Sequence, residues 1–254
     1  MAIKLLTFDL DNTLWDVEAI VTRAEKVMRA WIRAHHPEFV ASFDFRHFMA
    51  LREAVLRERL DIAHDLTELR LEVLRRAFRS AGYGLDDAET AAQGAFEEYF
   101  RERNVVEYFP GVMEALRELR EEYRIFSISN GNADIQRVGL GHVFSRHFSA
   151  INVGAAKPDP RIFQAAIAAA GVAPAEVLHI GDHPEQDVAA AAAVGMKTVW
   201  VNFGGAPWPT GMLAPSQGEQ QSALHSPPQS LPRPDGEIRV FSELPELVRR
   251  LSAD

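Results

Sequence analysis

Cysteine is missing from all 254 residues. That excludes disulfides, thiolate-held zinc, iron–sulfur clusters and a cysteine nucleophile, and it suits a reducing compartment. Long apolar runs are missing too: no window approaches the roughly eighteen apolar residues that span a bilayer. The short N-terminal apolar run contains an aspartate pair and does not read as a signal peptide. Positive charge is scarce, with 27 Lys and Arg against 36 Asp and Glu and a net charge of −9. A phosphate backbone demands the opposite sign, so a general nucleic-acid binder is disfavoured. An acidic protein that handles phosphate needs a local cation instead, either a metal ion or a placed Lys or Arg. There is no internal repeat. A soluble, cytoplasmic chain with neither nucleic-acid nor membrane partners is expected.

What is present is ordinary for a globular protein, 47% hydrophobic and 25% charged. The length suits one large domain or a domain carrying a sizeable insertion. Residues 3–8 form a short, largely apolar run that predicts a buried strand ending at Asp9. From about 16 to 105 the pattern turns helical: 18–35, 45–60, 67–81 and 86–103 carry apolar residues at three-to-four spacing. Thr67 and Asp86 are the expected N-caps there, and Gly82 and Gly84 end the third helix. No strand signal interrupts this stretch, which predicts an all-helical insertion.

Beyond Gly111 helices and strands alternate. A helix is expected at 112–122, a strand at 124–129, a short helix after Asn132 and a strand at 149–153. Asp159-Pro160 opens a helix that Gly171 stops. Strands at 176–180 and 197–201 flank an Ala-rich helix at 188–194, and 238–241 and 244–251 read as a last strand and helix. Residues 204–236, dense in Gly, Pro, Ser and Gln, read as a long mobile loop. The alternation predicts an α/β fold, a Rossmann-like parallel sheet with helices on both faces, formed by 1–15 and 106–254. The all-helical unit at 16–105 is inserted into it.

In open parallel sheets ligands bind at the carboxyl ends of the strands. Four such ends carry polar residues here: Asp9 with Asp11, Ser129-Asn130-Gly131, Lys157, and Gly181-Asp182 with Asp187. Each has an ordinary reading by itself. Asp11-Asn12-Thr13 and Ser129-Asn130-Gly131 are turn compositions, Lys157 is a solvated loop lysine and Asp182 a cap. If the strands are neighbours, all of them converge on one crevice, and the ordered set is what is specific. His183 reads either as a loop histidine or as a group touching metal-bound water, and His179 as packed core. Trp15 reads as hinge packing or as a surface for substrate, and the Arg-rich stretches 52–59 and 70–79 as solvated faces.

The ordered set Asp9-Leu10-Asp11-Asn12-Thr13, Ser129-Asn130-Gly131, Lys157-Pro158-Asp159-Pro160 and Gly181-Asp182 through Asp187 resembles the motifs of the haloacid dehalogenase-like (HAD) hydrolase superfamily. The helical insertion resembles that family's C1 cap. The resemblance implies a phosphomonoester hydrolase working through an aspartyl phosphate. Asp9 is then the nucleophile, and Asp11 the acid for the leaving alcohol and later the base for water. Lys157, Ser129 and Asn130, with nearby backbone N–H groups, hold the phosphate, and a helix start after Asn130 adds its dipole.

Two like charges about 4 Å apart repel by about 4 kcal/mol at an effective dielectric near 20. A divalent cation is therefore expected, and Mg2+ is the hard, oxygen-liganded choice. Its implied ligands are the Asp9 carboxylate, the Asp11 main-chain carbonyl and Asp182, with Asp187 behind them or as an alternative. His183-Pro184 departs from the family pattern at this motif. A departing halide needs no proton, and the family's dehalogenases lack the second aspartate, so Asp11 favours a phosphatase. Phosphomutase chemistry and a non-catalytic relative that binds a ligand or partner stay open. The wording at 129–134 is similar to phosphatases acting on flavin mononucleotide and on the ribitylamino-uracil phosphate precursor of riboflavin. A small phosphorylated metabolite is the partner this implies.

Overall fold

A computed structural model describes residues 2–209 and 231–253. Six strands form one parallel sheet: β1 (Leu5–Phe8), β2 (Arg124–Ser129), β3 (Arg146–Ser149), β4 (Val177–Gly181), β5 (Lys197–Val201) and β6 (Gly236–Ile238). Their spatial order is β3-β2-β1-β4-β5-β6, so β1 lies between β2 and β4. Every residue of β1 is buried, as expected of a central strand with helices on both faces. Its side chains alternate. Leu6 and Phe8 join Leu116, Leu119, Phe241 and Val248 on one face, from α6 (Val112–Arg120) and α10 (Leu244–Ala253) with the turn before it. Leu5 joins Ile162, Phe163 and Ala166 on the other, from α8 (Pro160–Ala170). Asp159 caps α8 with Pro160 at its first position, and Gly171 ends it at φ 66°, as expected.

Between β1 and α6 run five helices: α1 (Val17–His35), α2 (Pro37–Ser42), α3 (His47–Glu58), α4 (Leu66–Ser80) and α5 (Leu85–Arg103). They carry their own core, including Met28, Ile32, Phe39, Leu74, Phe78, Ala92 and Phe96. Gly94 permits the close packing of α5 on α1, since a Cβ there would fall 2.6 Å from the Trp31 ring. Asp16 starts α1 by accepting from the N–H groups of Glu18 and Ala19. No helix among the described residues is long and apolar enough to cross a membrane.

Several local expectations are corrected. Asp65, not Thr67, caps α4, because its carboxylate reaches the free N–H groups of Thr67 and Glu68. Gly84 stands at the N-cap of α5, and Asp86 lies in the first turn, where the helix dipole favours it. β3 spans 146–149, paired to β2 throughout, and the β-branched residues that suggested a strand at 149–153 lie in α7 (Ala150–Val153), which Ser149 caps. After Asn132 there is no regular helix: the Asp134 carboxylate accepts from Gln136 and Arg137 and holds a run of turns. The Ala-rich helix begins as a wider π-helical turn, Pro184–Ala189, and continues as α9 (Ala190–Ala193). The last strand ends at Ile238, and the buried Phe241 starts a short helical turn instead. Of the expected loop, 210–230 lies outside the described residues.

Candidate active site

The order of the sheet brings the polar strand ends together. Asp9 follows β1 directly and its N–H donates to Ile180 at 2.9 Å, carrying the ladder one residue past the strand. The chain then coils sharply: Asn12 is left-handed at φ 62°, and the Leu14 N–H donates back to Leu10 at 2.8 Å. The turn expected at 11–13 is therefore present. Thr13 donates from Oγ1 to Asp182 Oδ1 at 2.9 Å, so the turn after β1 also orients the carboxylate after β4.

Lys157 stands at the centre. It is 4% exposed, and its Nζ lies 2.5 Å from Asp9 Oδ1 and 2.6 Å from Asp187 Oδ1. Asn130 secures the lysine loop from β2, accepting from the Lys157 N–H at 2.6 Å and donating to the Lys157 carbonyl at 2.8 Å. Asn130 is thus bonded to the lysine's main chain. Ser129 is buried, and its hydroxyl accepts from the Gly131 N–H at 3.0 Å, which shapes the turn at the end of β2.

Asp187 is anchored from three sides. Besides Lys157, the His183 N–H donates to Oδ2 at 2.9 Å and His179 Nε2 lies 3.2 Å from Oδ1. Gly181 leaves room for it, because a Cβ there would fall 2.3 Å from the Asp187 carboxyl carbon. His179 is buried and reaches Thr7 with its other nitrogen at 2.8 Å. Burial lowers the His179 pKa against the pull of Asp187, and the ring links β1 to Asp187. The His183 side chain accepts from the Glu185 and Gln186 N–H groups and caps the π-helical turn.

Asp11 has separate partners. Trp15 is buried and donates from Nε1 to Asp11 Oδ1 at 2.7 Å. Arg103, the last residue of α5, places Nη2 2.7 Å from both Asp11 oxygens. Gly131 lies against this pair: a Cβ on it would fall 2.2 Å from Asp11 Oδ2.

The charges do not balance locally. Carboxylate oxygens of Asp9, Asp182 and Asp187 lie within 4.8 Å of one another, facing the single ammonium of Lys157. Burial first, then repulsion from Asp187 and Asp182, pushes Asp9 well above the usual carboxylate range in spite of Lys157. Burial and then Asp187 push Asp182 up to about 6. Asp187 goes the other way: burial alone would raise it, but Lys157 and His179 hold it well below that range. Both Asp187 oxygens are engaged, whereas Asp9 and Asp182 each keep one oxygen outside the hydrogen bonds just described. Hard oxygen donors with surplus negative charge fit a divalent cation.

Beside Asp11 opens a cavity of about 650 Å³ that reaches between α1, α3, α4 and α5. Its lining is largely apolar, with Met28, Phe45, Phe48 and Tyr99, and its polar groups include Glu25, Arg29, Arg70 and Arg103. Arg70 lies over the Tyr99 ring at 3.7 Å and pairs with Glu25 at 3.4 Å. Arg70 is therefore half-buried against this cavity, a correction to the solvated face expected at 70–79, whereas Arg52 borders the cavity and stays exposed, as expected at 52–59. Sequence reasoning also missed Arg103 and Thr13 and the link from His179 to Asp187. Arg103 gave no signal, ending a helix already rich in Arg and Glu; a threonine two residues past Asp11 is the one cue the motif offered.

Comparison with known proteins gives a consistent lineage. Residues 3–195 match the hydrolase family described as haloacid dehalogenase-like hydrolase. The 5-amino-6-(5-phospho-D-ribitylamino)uracil phosphatase YigB of Escherichia coli is 30% identical over 199 residues, 78% of this chain and 83% of that protein. Phosphoserine phosphatase of Thermus thermophilus is 38% identical over 135 residues, 51% of this chain and 54% of that protein. Among solved structures, one described as a 2-haloacid dehalogenase from Pseudomonas syringae pv. Tomato DC3000 superposes with a TM-score of 0.85 at 35% identity. It covers 98% of this chain and 99% of its own.

Proposed function

The chain belongs to the haloacid dehalogenase-like hydrolases, and we propose that it hydrolyses phosphate monoesters of small metabolites, with Mg2+ bound and the phosphoryl group carried transiently on Asp9. The observation that carries this reading is the division of two carboxylates between two environments. Asp9 sits on Lys157 in the buried cluster, and Asp11 is held apart by Trp15 and Arg103. A nucleophile and an acid/base need such separate surroundings.

Asp9, Asp182 and the Asp11 main-chain carbonyl would hold Mg2+, which would offset the charge of the phosphate. The remaining work falls to the chain's own groups. An Asp9 oxygen forms a bond to phosphorus as the ester P–O bond breaks, and Asp11 gives its proton to the departing alkoxide. Asp11 then takes a proton from water, whose oxygen attacks phosphorus and releases inorganic phosphate and the Asp9 carboxylate. Lys157 offsets the negative charge on Asp9 and on the incoming phosphoryl oxygens, and Asp187 keeps the lysine charged and in place. In this reading helices α1–α5 act as the C1 cap and their cavity receives the leaving group. The names of the relatives, a ribitylamino-uracil phosphate phosphatase and a phosphoserine phosphatase, support a small phosphorylated metabolite.

The name of the Pseudomonas syringae structure favours a second reading, dehalogenation. A halide leaves without a proton, so Asp11 and the groups that orient it would have no part in that step. The test is a panel of sugar phosphates, nucleotides, flavin nucleotides and 2-haloacids, with Mg2+ supplied and phosphate and halide both assayed. Phosphate release that disappears in Asp9→Asn is the expected outcome. Halide release, or full phosphatase activity of Asp9→Asn, would refute the proposal. A phosphomutase would convert a sugar phosphate to its isomer with no phosphate freed.

A further inference from the structure

We propose that Arg103 is the positioning residue for the acid Asp11, so that proton delivery to the leaving group is controlled from the last turn of α5. The inference rests on the phosphatase reading above. The only side chain of β1's own turn that donates to Asp11 is Trp15, at Oδ1. The remaining side-chain hydrogen bonds to this carboxylate come from 92 residues away: Nη2 of Arg103 lies 2.7 Å from both oxygens. Arg103 is 2% exposed, so its charge is uncompensated by water and finds its partner in Asp11.

Three further observations make this a working arrangement. Nη1 of Arg103 is buried with no partner among the described residues, and the residue lines the cavity that adjoins Asp11. An arginine serving only to tie α5 down would have its other donors satisfied. Gly131 at the end of β2 keeps open the space the pair occupies, since a Cβ there would sit 2.2 Å from Asp11 Oδ2 and 3.2 Å from Arg103 Nη2. The helix end itself is fixed: Asn104 donates to the Phe100 carbonyl at 2.7 Å and accepts from the Asp134 N–H at 2.8 Å, joining α5 to the turn after β2. Arg23 adds bonds to Glu102 and to the Val105 carbonyl. A rigid support therefore holds the guanidinium, which in turn orients the carboxylate that must meet the leaving oxygen.

The test uses the dependence on leaving group. Nitrophenolate departs as an anion, whereas the alkoxide of glycerol 3-phosphate needs a proton. The ratio kcat/KM covers steps only through phosphoryl transfer to Asp9, so the later use of Asp11 as base does not enter. Arg103→Met is expected to lose about 100-fold in kcat/KM on glycerol 3-phosphate and less than about 5-fold on p-nitrophenyl phosphate, the size of a lost general acid. Asp11→Asn should show the same selectivity, and the double variant little further loss, because residues acting as a unit are not additive. Arg103→Lys keeps the buried charge and serves if Arg103→Met does not fold; the same selectivity, about tenfold, is expected of it. Equal losses on both substrates, no loss in either variant, or additivity with Asp11→Asn would overturn the role assigned to Arg103. Wild-type protein that cleaves neither ester would instead overturn the phosphatase reading, and the two failures are told apart by the wild type alone.

Discussion

Lys157→Met tests the electrostatic arrangement on which the whole site depends. The lysine ammonium lies 2.5 Å from Asp9 and 2.6 Å from Asp187, and removing it leaves carboxylates within 4.8 Å of one another with no cation among them. At that separation and an effective dielectric near 20, one ionised pair repels by about 3.5 kcal/mol. Removing one partner of a buried ion pair costs about 3–5 kcal/mol by mutational precedent, so two independent routes agree. In a chain of this size each kcal/mol moves the melting temperature by about 2–4 °C. The variant should melt about 6–20 °C below wild type at pH 7.5, with a chelator present so that no cation replaces the lysine. The sign with pH follows from Asp187, whose pKa the lysine holds below the usual carboxylate range against the upward push of burial. A depressed folded-state pKa contributes stability above the unfolded value and loses it as pH falls through the folded one. The gap between wild type and variant should therefore narrow as pH falls below the ordinary carboxylate value of about 4, in thermal melts followed by circular dichroism. A difference below about 1 kcal/mol at pH 7.5, or one that widens on acidification, would refute the reasoning.

Other consequences are equally direct. Gly131→Ala drives a methyl group to 2.2 Å from Asp11 Oδ2, so the acid must move. Its kcat on an alkyl phosphate should fall about 100-fold with melting temperature changed far less, read by phosphate release and calorimetry. With no divalent cation, ionising Asp182 opposes folding: its pKa, raised by burial and Asp187 to about 6, makes stability fall as pH rises from the ordinary carboxylate value to 6. The cost reaches about 3 kcal/mol at most. Asp182→Asn should then melt higher than wild type in chelator at pH 7.5, and Mg2+ should raise the melting temperature of wild type but not of the variant. Trp15→Phe keeps the buried ring but loses the 2.7 Å bond to Asp11. About 1.5–3 kcal/mol of stability should be lost, as for other hydrogen bonds to a charged group, measurable by urea unfolding.

Much of the sheet was readable because a buried central strand leaves a simple trace. Leu5, Leu6 and Phe8 place apolar side chains on both faces of β1, and β2, β4 and β5 repeat that largely apolar trace with helix starts between them. Where the trace weakened, the reading slipped. Residues 150–153 look like a strand by side-chain type, but the ladder with β2 is complete at Ser149, whose hydroxyl begins a helix turn instead. Thr67 and Asp86 look like caps, but Asp65 and Gly84 hold those positions. Caps depend on where the first helical residue falls, and composition leaves that open by a residue or two.

The sequence by itself determined that Asp9, Asp11, Ser129, Asn130, Asp182 and Asp187 stand at the ends of strands or just beyond them, because strand and turn signals are local in the chain. The tertiary structure alone decided what each of them touches. The strand order put β1 between β2 and β4 and so brought Lys157 onto Asp9 and Asp187, and it gave Asn130 the task of holding the lysine's backbone. It also carried Arg103 from a helix with no motif of its own onto Asp11. Those contacts join residues from 27 to 148 positions apart, and such distances are closed by the packing of helices on a sheet, which no local pattern records.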